Sequence, residues 1–151
     1  MKLAEALIER ADLQKKIAQL RNRMEQNAKV QEGEKPAEAV GELLPEYDEM
    51  MLSLEILIKR INRTNAATCF EDGCLSDAIT RRDCLRGRIN AYRELYDAAA
   101  IRQERYSRSE VKYIRCIETE GLQKTIDSLS KQYRESDTKI QAMNWMTELA
   151  D

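Results

Sequence analysis

Residues 3–24 read LAEALIERADLQKKIAQLRNRM, and the spacing of the apolar side chains in that stretch decides the fold. Leu3, Ala6, Leu13, Ile17, Leu20 and Met24 recur at intervals of three and four, with Arg10 holding the remaining place. A helix advances about 100° per residue, so this spacing lines the side chains along one seam. The pattern predicts a helix from about Lys2 to Asn27 whose stripe buries against another helix.

Three more segments repeat the pattern. After an acidic linker at about 28–41, containing VQEGEKPAEAVG with Gly33, Pro36 and Gly41, a second helix is expected near Glu42. Pro45 then falls in the first turn, where amides have no intrahelical acceptor. Its seam is Leu44, Tyr47, Met51, Leu54, Ile58, Ile61 and Asn65, with Met50 and Leu57 widening it. AATCFEDGCLS follows, with Asp72-Gly73 suited to a tight hairpin turn. That turn would set Cys74 opposite Glu71 and Cys69 opposite Ser76. Ser76 can cap a third helix with the seam Ala78, Arg82, Leu85, Ile89, Tyr92, Tyr96 and Ala99. Residues 101–110 break the periodicity. VKYIRCI, residues 111–117, alternates incompletely and reads as a short strand. Thr119 can cap a fourth helix with the seam Leu122, Ile126, Leu129, Tyr133, Ser136, Ile140 and Met143.

These segments predict a mainly α, single-domain bundle over 1–151, built of four long amphipathic helices with coiled-coil-like seams and a small β-hairpin or strand element. The composition agrees: 34% of the 151 residues are charged and 42% hydrophobic, with five Gly and two Pro. Long narrow seams also invite a partner chain, so a homo-oligomer is expected.

The same composition excludes several chemistries. With no histidine there is no His-based triad, no His-ligated zinc and no imidazole general base. The net charge of −2 makes no whole-chain case for nucleic acid or an anionic membrane. Residues 76–115 carry ten basic side chains, nine of them Arg, against six acidic, which reads as a salt-bridged face with an anion or RNA surface as the alternative. Tyr106, between Arg105 and Arg108, is the one ring outside the helices placed to stack on a base. No apolar run is long enough to span a bilayer, and MKLAEALIERAD lacks the apolar core of a signal peptide, so a cytoplasmic location is expected. Cys69, Cys74, Cys84 and Cys116 form no C-x-x-C pair and read as thiols in a reducing compartment. Neither a metal site nor a cofactor is expected.

The polar interruptions of the seams are the candidate site. In up-down-up-down order, one end of the bundle collects Arg10, Asn62, Asn65, Arg82, Asp83 and Asn144. Guanidinium groups directed inward need acceptors. Either Asp83, Asp12 or Glu9 closes the arginines, or a small carboxylate or phosphate ligand does. Glu46-x-x-Glu49 and Glu94-x-x-Asp97 resemble the carboxylate pairs of all-helical nucleotide pyrophosphohydrolases, which bind Mg²⁺, but 44 residues separate them.

Across nearly its whole length the sequence also resembles a bacterial family that carries the label septicolysin. KLAEALIERADLQKKI, VQEGEKPAE, LIKRINRTNAAT, LSDAITRRDCLRGRINAYRELYDAA, RYSRSEVKY and LQKTIDSLSKQYRESDTKIQAMNW carry the resemblance. The family brings no catalytic residues to assign. Its label implies a haemolysin, whereas a pore-forming helix needs an apolar segment that this sequence lacks. The leading expectation is a structural or interaction protein with a small-anion site at one bundle end. A Mg²⁺-dependent hydrolase and a membrane-active protein are the alternatives.

Overall fold

A computed structural model describes residues 1–100 and 111–151. It contains α1 (Leu3–Gln26), α2 (Val40–Ala67), the strands β1 (Cys69–Phe70) and β2 (Gly73–Cys74), α3 (Leu75–Ala98) and α4 (Thr119–Met146). The chain is therefore mainly α, with four helices and a small hairpin, as its periodicity predicts. It divides into two compact units, Met1–Ser76 with Gln141–Asp151, and Asp77–Ile140.

In the first unit α1 packs on α2. The α1 seam is as predicted: Leu3, Ala6, Ile17 and Leu20 are buried, and Arg10, Leu13 and Met24 are half-buried. The α2 seam is not. Leu43, Leu54, Leu57, Ile61 and Thr64 are buried and Tyr47 and Met50 half-buried, whereas Leu44 and Met51 are 47% and 40% exposed. Leu43, Met50, Leu57 and Thr64 of the buried row each stand one residue before a predicted seam position, whereas Tyr47, Leu54 and Ile61 belong to both rows. Both rows are apolar as far as Ile58, so periodicity alone does not choose between them. The helix also starts two residues earlier than expected, at Val40. Pro45 therefore lies in the second turn, where it offers no amide to the Gly41 carbonyl.

The C-terminal residues tie the first unit together. The Leu3 amide, one of the first-turn donors without an intrahelical acceptor, donates to the Thr147 carbonyl at 2.9 Å. The Leu149 amide donates to the Met1 carbonyl at 2.9 Å. Thr64, 3% exposed, is the polar hub of this contact. Its hydroxyl donates to the Arg60 carbonyl at 2.8 Å and accepts from the Ala150 amide at 3.0 Å. The Arg60 guanidinium reaches the Ala150 carbonyl at 2.9 Å. At the other end of α1, Asn27 accepts from the Glu38 amide at 3.1 Å, and the Arg23 guanidinium pairs with the Glu38 carboxylate. These two contacts return the linker to the helix.

The hairpin turn falls one residue earlier than the sequence suggests. Glu71 and Asp72 form it, and Cys69 pairs with Cys74 and Phe70 with Gly73. The predicted facing of Cys74 with Glu71 is thus corrected. Glu71 takes a positive φ of 50°. Such a conformation costs a residue other than glycine roughly 1–2 kcal/mol. Burial of Phe70 and Leu75, 9% and 0% exposed, works against that cost at about 1.5–3 kcal/mol for a large apolar side chain.

The second unit contains most of α3 and α4. Ala78 and Ile89 from α3, and Ile126, Leu129 and Ile140 from α4, form its buried core. Leu85, Tyr92, Tyr96, Leu122 and Tyr133 flank them half-buried. The strand expected at 111–117 is not formed. Val111, Tyr113 and Ile114 are 70%, 79% and 84% exposed, and the one sheet of the described residues is β1 with β2. A strand is stable only within a ladder, and none of the described residues pairs with it there. The Arg115 guanidinium instead reaches the Ala99 carbonyl at 3.1 Å, just past the end of α3. The readings placed on 101–110, including Tyr106 with Arg105 and Arg108, lie outside the described residues.

Gly87 sits inside α3 with open space around the position a Cβ would occupy. Gly87→Ala should therefore stabilise the protein by about 0.5–1 kcal/mol through the unfolded chain's entropy. In calorimetry this corresponds to a rise in Tm of about 2–4 °C per 1 kcal/mol. Hydrogen bonds from Lys2 and from the Met1 amino group hold the Glu148 carboxyl below its ordinary value of 4.5. A lowered folded value stabilises the folded state above the unfolded pKa, and that stabilisation is lost as pH falls through the folded value. Glu148→Gln should consequently lower Tm slightly at pH 7. The gap from the parent should close as the pH is taken below about 4.5.

Candidate functional site

Three of the six polar residues singled out by the seams lie in the first unit with a buried atom that meets no partner. They are Arg10 Nε, Asn65 Oδ1 and Asn144 Oδ1. Three different helices supply them. Arg10 occupies its seam place on α1 between the buried Ala6 and Ile17 and is itself half-buried. Asn65 follows Thr64 on α2. Asn144 is 3% exposed on α4, one turn before the Thr147 carbonyl that receives the Leu3 amide. An unpartnered buried polar atom costs about 1–3 kcal/mol. Asn62, by contrast, is exposed: it follows the buried Ile61 by one residue and so faces outward.

Arg82 and Asp83 belong to the second unit, and there the arginine is closed by protein carboxylates. Arg82 Nη1 donates to Asp137 at 2.8 Å, while Nε and Nη2 donate to Asp83 at 3.1 and 3.0 Å. The Arg82 side chain is only 14% exposed. Burial alone would lower its pKa, but the hydrogen bonds and charges of Asp83 and Asp137 outweigh that and raise it. Asp83 was anticipated as a partner. Asp137 was not, although it adjoins Ser136, the one polar residue in the middle of the α4 seam.

Two other α3 arginines, Arg86 and Arg93, also reach α4. Arg86 donates to the Tyr133 hydroxyl at 2.6 and 3.1 Å, with its guanidinium carbon 5.3 Å from the ring centroid. Arg93 reaches the Ser130 hydroxyl at 3.4 Å. Arg82, Arg86 and Arg93 ascend one edge of α3 while Asp137, Tyr133 and Ser130 descend α4. Long side chains thus bridge two antiparallel helices. Three of the nine arginines of residues 76–115 belong to that ladder. Arg88 lies over Tyr92 at 6.0 Å.

The remaining surfaces offer less chemistry. A groove between α1 and Ser53 of α2 is walled by Glu5, Glu9 and Asp12 against the single cation of Lys16, which would repel an anion. Glu46 and Glu49 are on α2 in the first unit, and Glu94 and Asp97 are on α3 in the second. Among the described residues no three His, Cys, Asp or Glu side chains come together as a metal cluster. No helix of the described residues is long and apolar enough to cross a membrane.

Comparison with known proteins adds a family and a solved relative. No curated protein sequence matches the chain. A crystal structure of a functionally unknown conserved protein from Corynebacterium diphtheriae is similar, with a TM-score of 0.88 and 42% sequence identity, over 99% of each chain. Residues 10–149 match the model of a family of unknown function, DUF6847. Neither match carries the name septicolysin or an activity. Since that family model spans all four helices, the chain belongs to DUF6847, a family of unknown function.

Proposed function

We propose that this chain is a cytoplasmic structural or interaction protein that works as a helical homo-oligomer, joined through the outer face of α2. The observation that carries this reading is an exposed apolar pair on the outer face of α2. Leu52 and Ile56 are 58% and 52% exposed on the side opposite the Leu54–Ile61 seam, and Leu44 and Met51 flank them. Charge along the helix favours an identical partner in antiparallel orientation. Residues 42–49 contain Glu42, Glu46, Asp48 and Glu49 and no base, whereas Lys59, Arg60 and Arg63 lie in the second half with Glu55, where Lys59 pairs with Glu55 and the two arginines reach Ala150 and Asp151. Two copies related by a two-fold axis near Leu52 and Ile56 would set each acidic half against a basic one. The four cysteines, all thiols, suit a reducing cytoplasm.

Sedimentation of the purified protein should therefore give a dimer or a higher even oligomer. Leu52→Glu combined with Ile56→Glu should dissociate it to monomer while the helical circular dichroism is kept. A monomeric parent chain, or a double variant that keeps the parent's oligomeric state, would sink the reading.

The unpartnered atoms favour a second role for the first unit, the binding of a small oxyanion that also carries a hydroxyl. Charged oxygens would accept from Arg10, and the hydroxyl would donate to an asparagine oxygen. Hydrogen phosphate has both groups. Addition of millimolar phosphate should raise Tm, and Asn144→Leu should abolish that rise. An equal rise in the variant, or none in the parent, would leave the three atoms to buried water.

A further inference from the structure

Cys69 and Cys74 are the directly opposed pair of the β1–β2 ladder. Directly opposed residues of an antiparallel ladder project to the same face and alternate between hydrogen-bonded and non-hydrogen-bonded sites. The Leu75 amide donates to the Thr68 carbonyl at 2.9 Å, which makes Thr68 and Leu75 a hydrogen-bonded site. One step along, Cys69 and Cys74 are therefore at a non-hydrogen-bonded site, where α-carbons lie about 4.5 Å apart. A disulfide spans α-carbon separations of about 4.4–6.8 Å. Rotation of the two side chains is enough to bring sulfur to sulfur. Both residues carry thiols, and Cys69 is exposed to solvent.

Cys84 and Cys116 have no such geometry. Arg115 is held at Ala99, 15 residues beyond Cys84 along and just past α3, which is roughly 20 Å at about 1.5 Å per residue. A disulfide cannot bridge that distance.

We propose that Cys69 and Cys74 form a reversible redox pair that closes into an intramolecular disulfide across the hairpin, with a low-molecular-weight disulfide as oxidant. The Cys69 thiolate attacks one sulfur of the small disulfide, forms a mixed disulfide and expels the first small thiolate. The Cys74 thiolate then attacks the Cys69 sulfur of that mixed disulfide and expels the second. Two protein thiols are oxidised, and the small disulfide is reduced to two thiols that take up the two protons released. Closure staples the connection between α2 and α3 in its native register, behind the buried Phe70 and Leu75. Transient disulfides of this kind are the usual form in reducing compartments.

Incubation of the full chain with a series of glutathione redox buffers tests the pair. The expected product is a tryptic peptide 64–81 that has lost two hydrogens and whose halves, after chymotryptic cleavage at Phe70, stay joined until reduced. Cys74→Ser should instead accumulate glutathione on Cys69, which the parent chain should not. Lasting glutathione on Cys69 in the parent, a bond from either residue to Cys84 or Cys116, or two thiols that survive fully oxidising buffer would each overturn the proposal.

Discussion

One stripe per helix must leave water, and everything else in this protein accommodates that constraint. A seam at intervals of three and four is narrow, so each helix buries few large side chains and leaves much of its surface to solvent. The burial available comes from residues such as Leu3, Leu20, Ile61, Leu75 and Ile140, all at 2% exposure or less. Because the stripe is thin, the ends of the helices matter more than they would in a thicker core. The C-terminal residues supply an acceptor for the Leu3 amide, which has none within its helix, and a second hydrogen bond for the buried Thr64 hydroxyl.

Polar residues placed in such stripes meet two different fates. Arg82 is surrounded by the carboxylates of Asp83 and Asp137, so its charge is answered within the second unit. A guanidinium forked onto two carboxylates holds α3 and α4 in register as effectively as an apolar contact, although an apolar pair of the same volume would desolvate at less cost. Arg10 has no equivalent acid at its buried nitrogen, and Asn65 and Asn144 leave acceptor oxygens in the same unit. The chain thus uses one seam arginine to build structure and leaves the other with unspent hydrogen-bonding capacity. That asymmetry separates the candidate ligand site from the structural ladder.

Much of this was legible in advance, and the exceptions have physical causes. The α1 seam was read residue by residue because beyond Ala11 its flanking positions are mostly polar, which leaves one row of large apolar side chains there. On α2 two apolar rows run side by side, and the row that faces α1 is settled by the partner's shape. The hairpin shows the same limit on a smaller scale: Asp72-Gly73 is the better turn dipeptide, yet the turn at Glu71-Asp72 accompanies the burial of both Phe70 and Leu75. Residues 111–117 have the side chains of a strand, but strand formation requires a neighbour, and local propensity cannot provide one. Among the candidate site residues, Arg10 and Asn144 were singled out because they interrupt or adjoin seams. Asn62 was misplaced by one residue, and Asp137 escaped notice because an exposed-looking carboxylate beside a seam has no signature of its own.

The sequence by itself determined the helices, their number and approximate ends, the absence of histidine chemistry, and which seam positions are polar. Each is a property of local spacing or composition, and spacing survives any arrangement of the elements. Tertiary structure alone decided which apolar row of α2 is inside, that Cys69 faces Cys74, that Asp137 closes Arg82, and that Arg10, Asn65 and Asn144 keep buried atoms without partners. These depend on residues distant in the chain or on a one-residue choice of register. A shift of one residue turns a helical side chain by about 100° and a strand side chain to the opposite face. Local pattern does not resolve so small a displacement, and the chemistry of this protein turns on it.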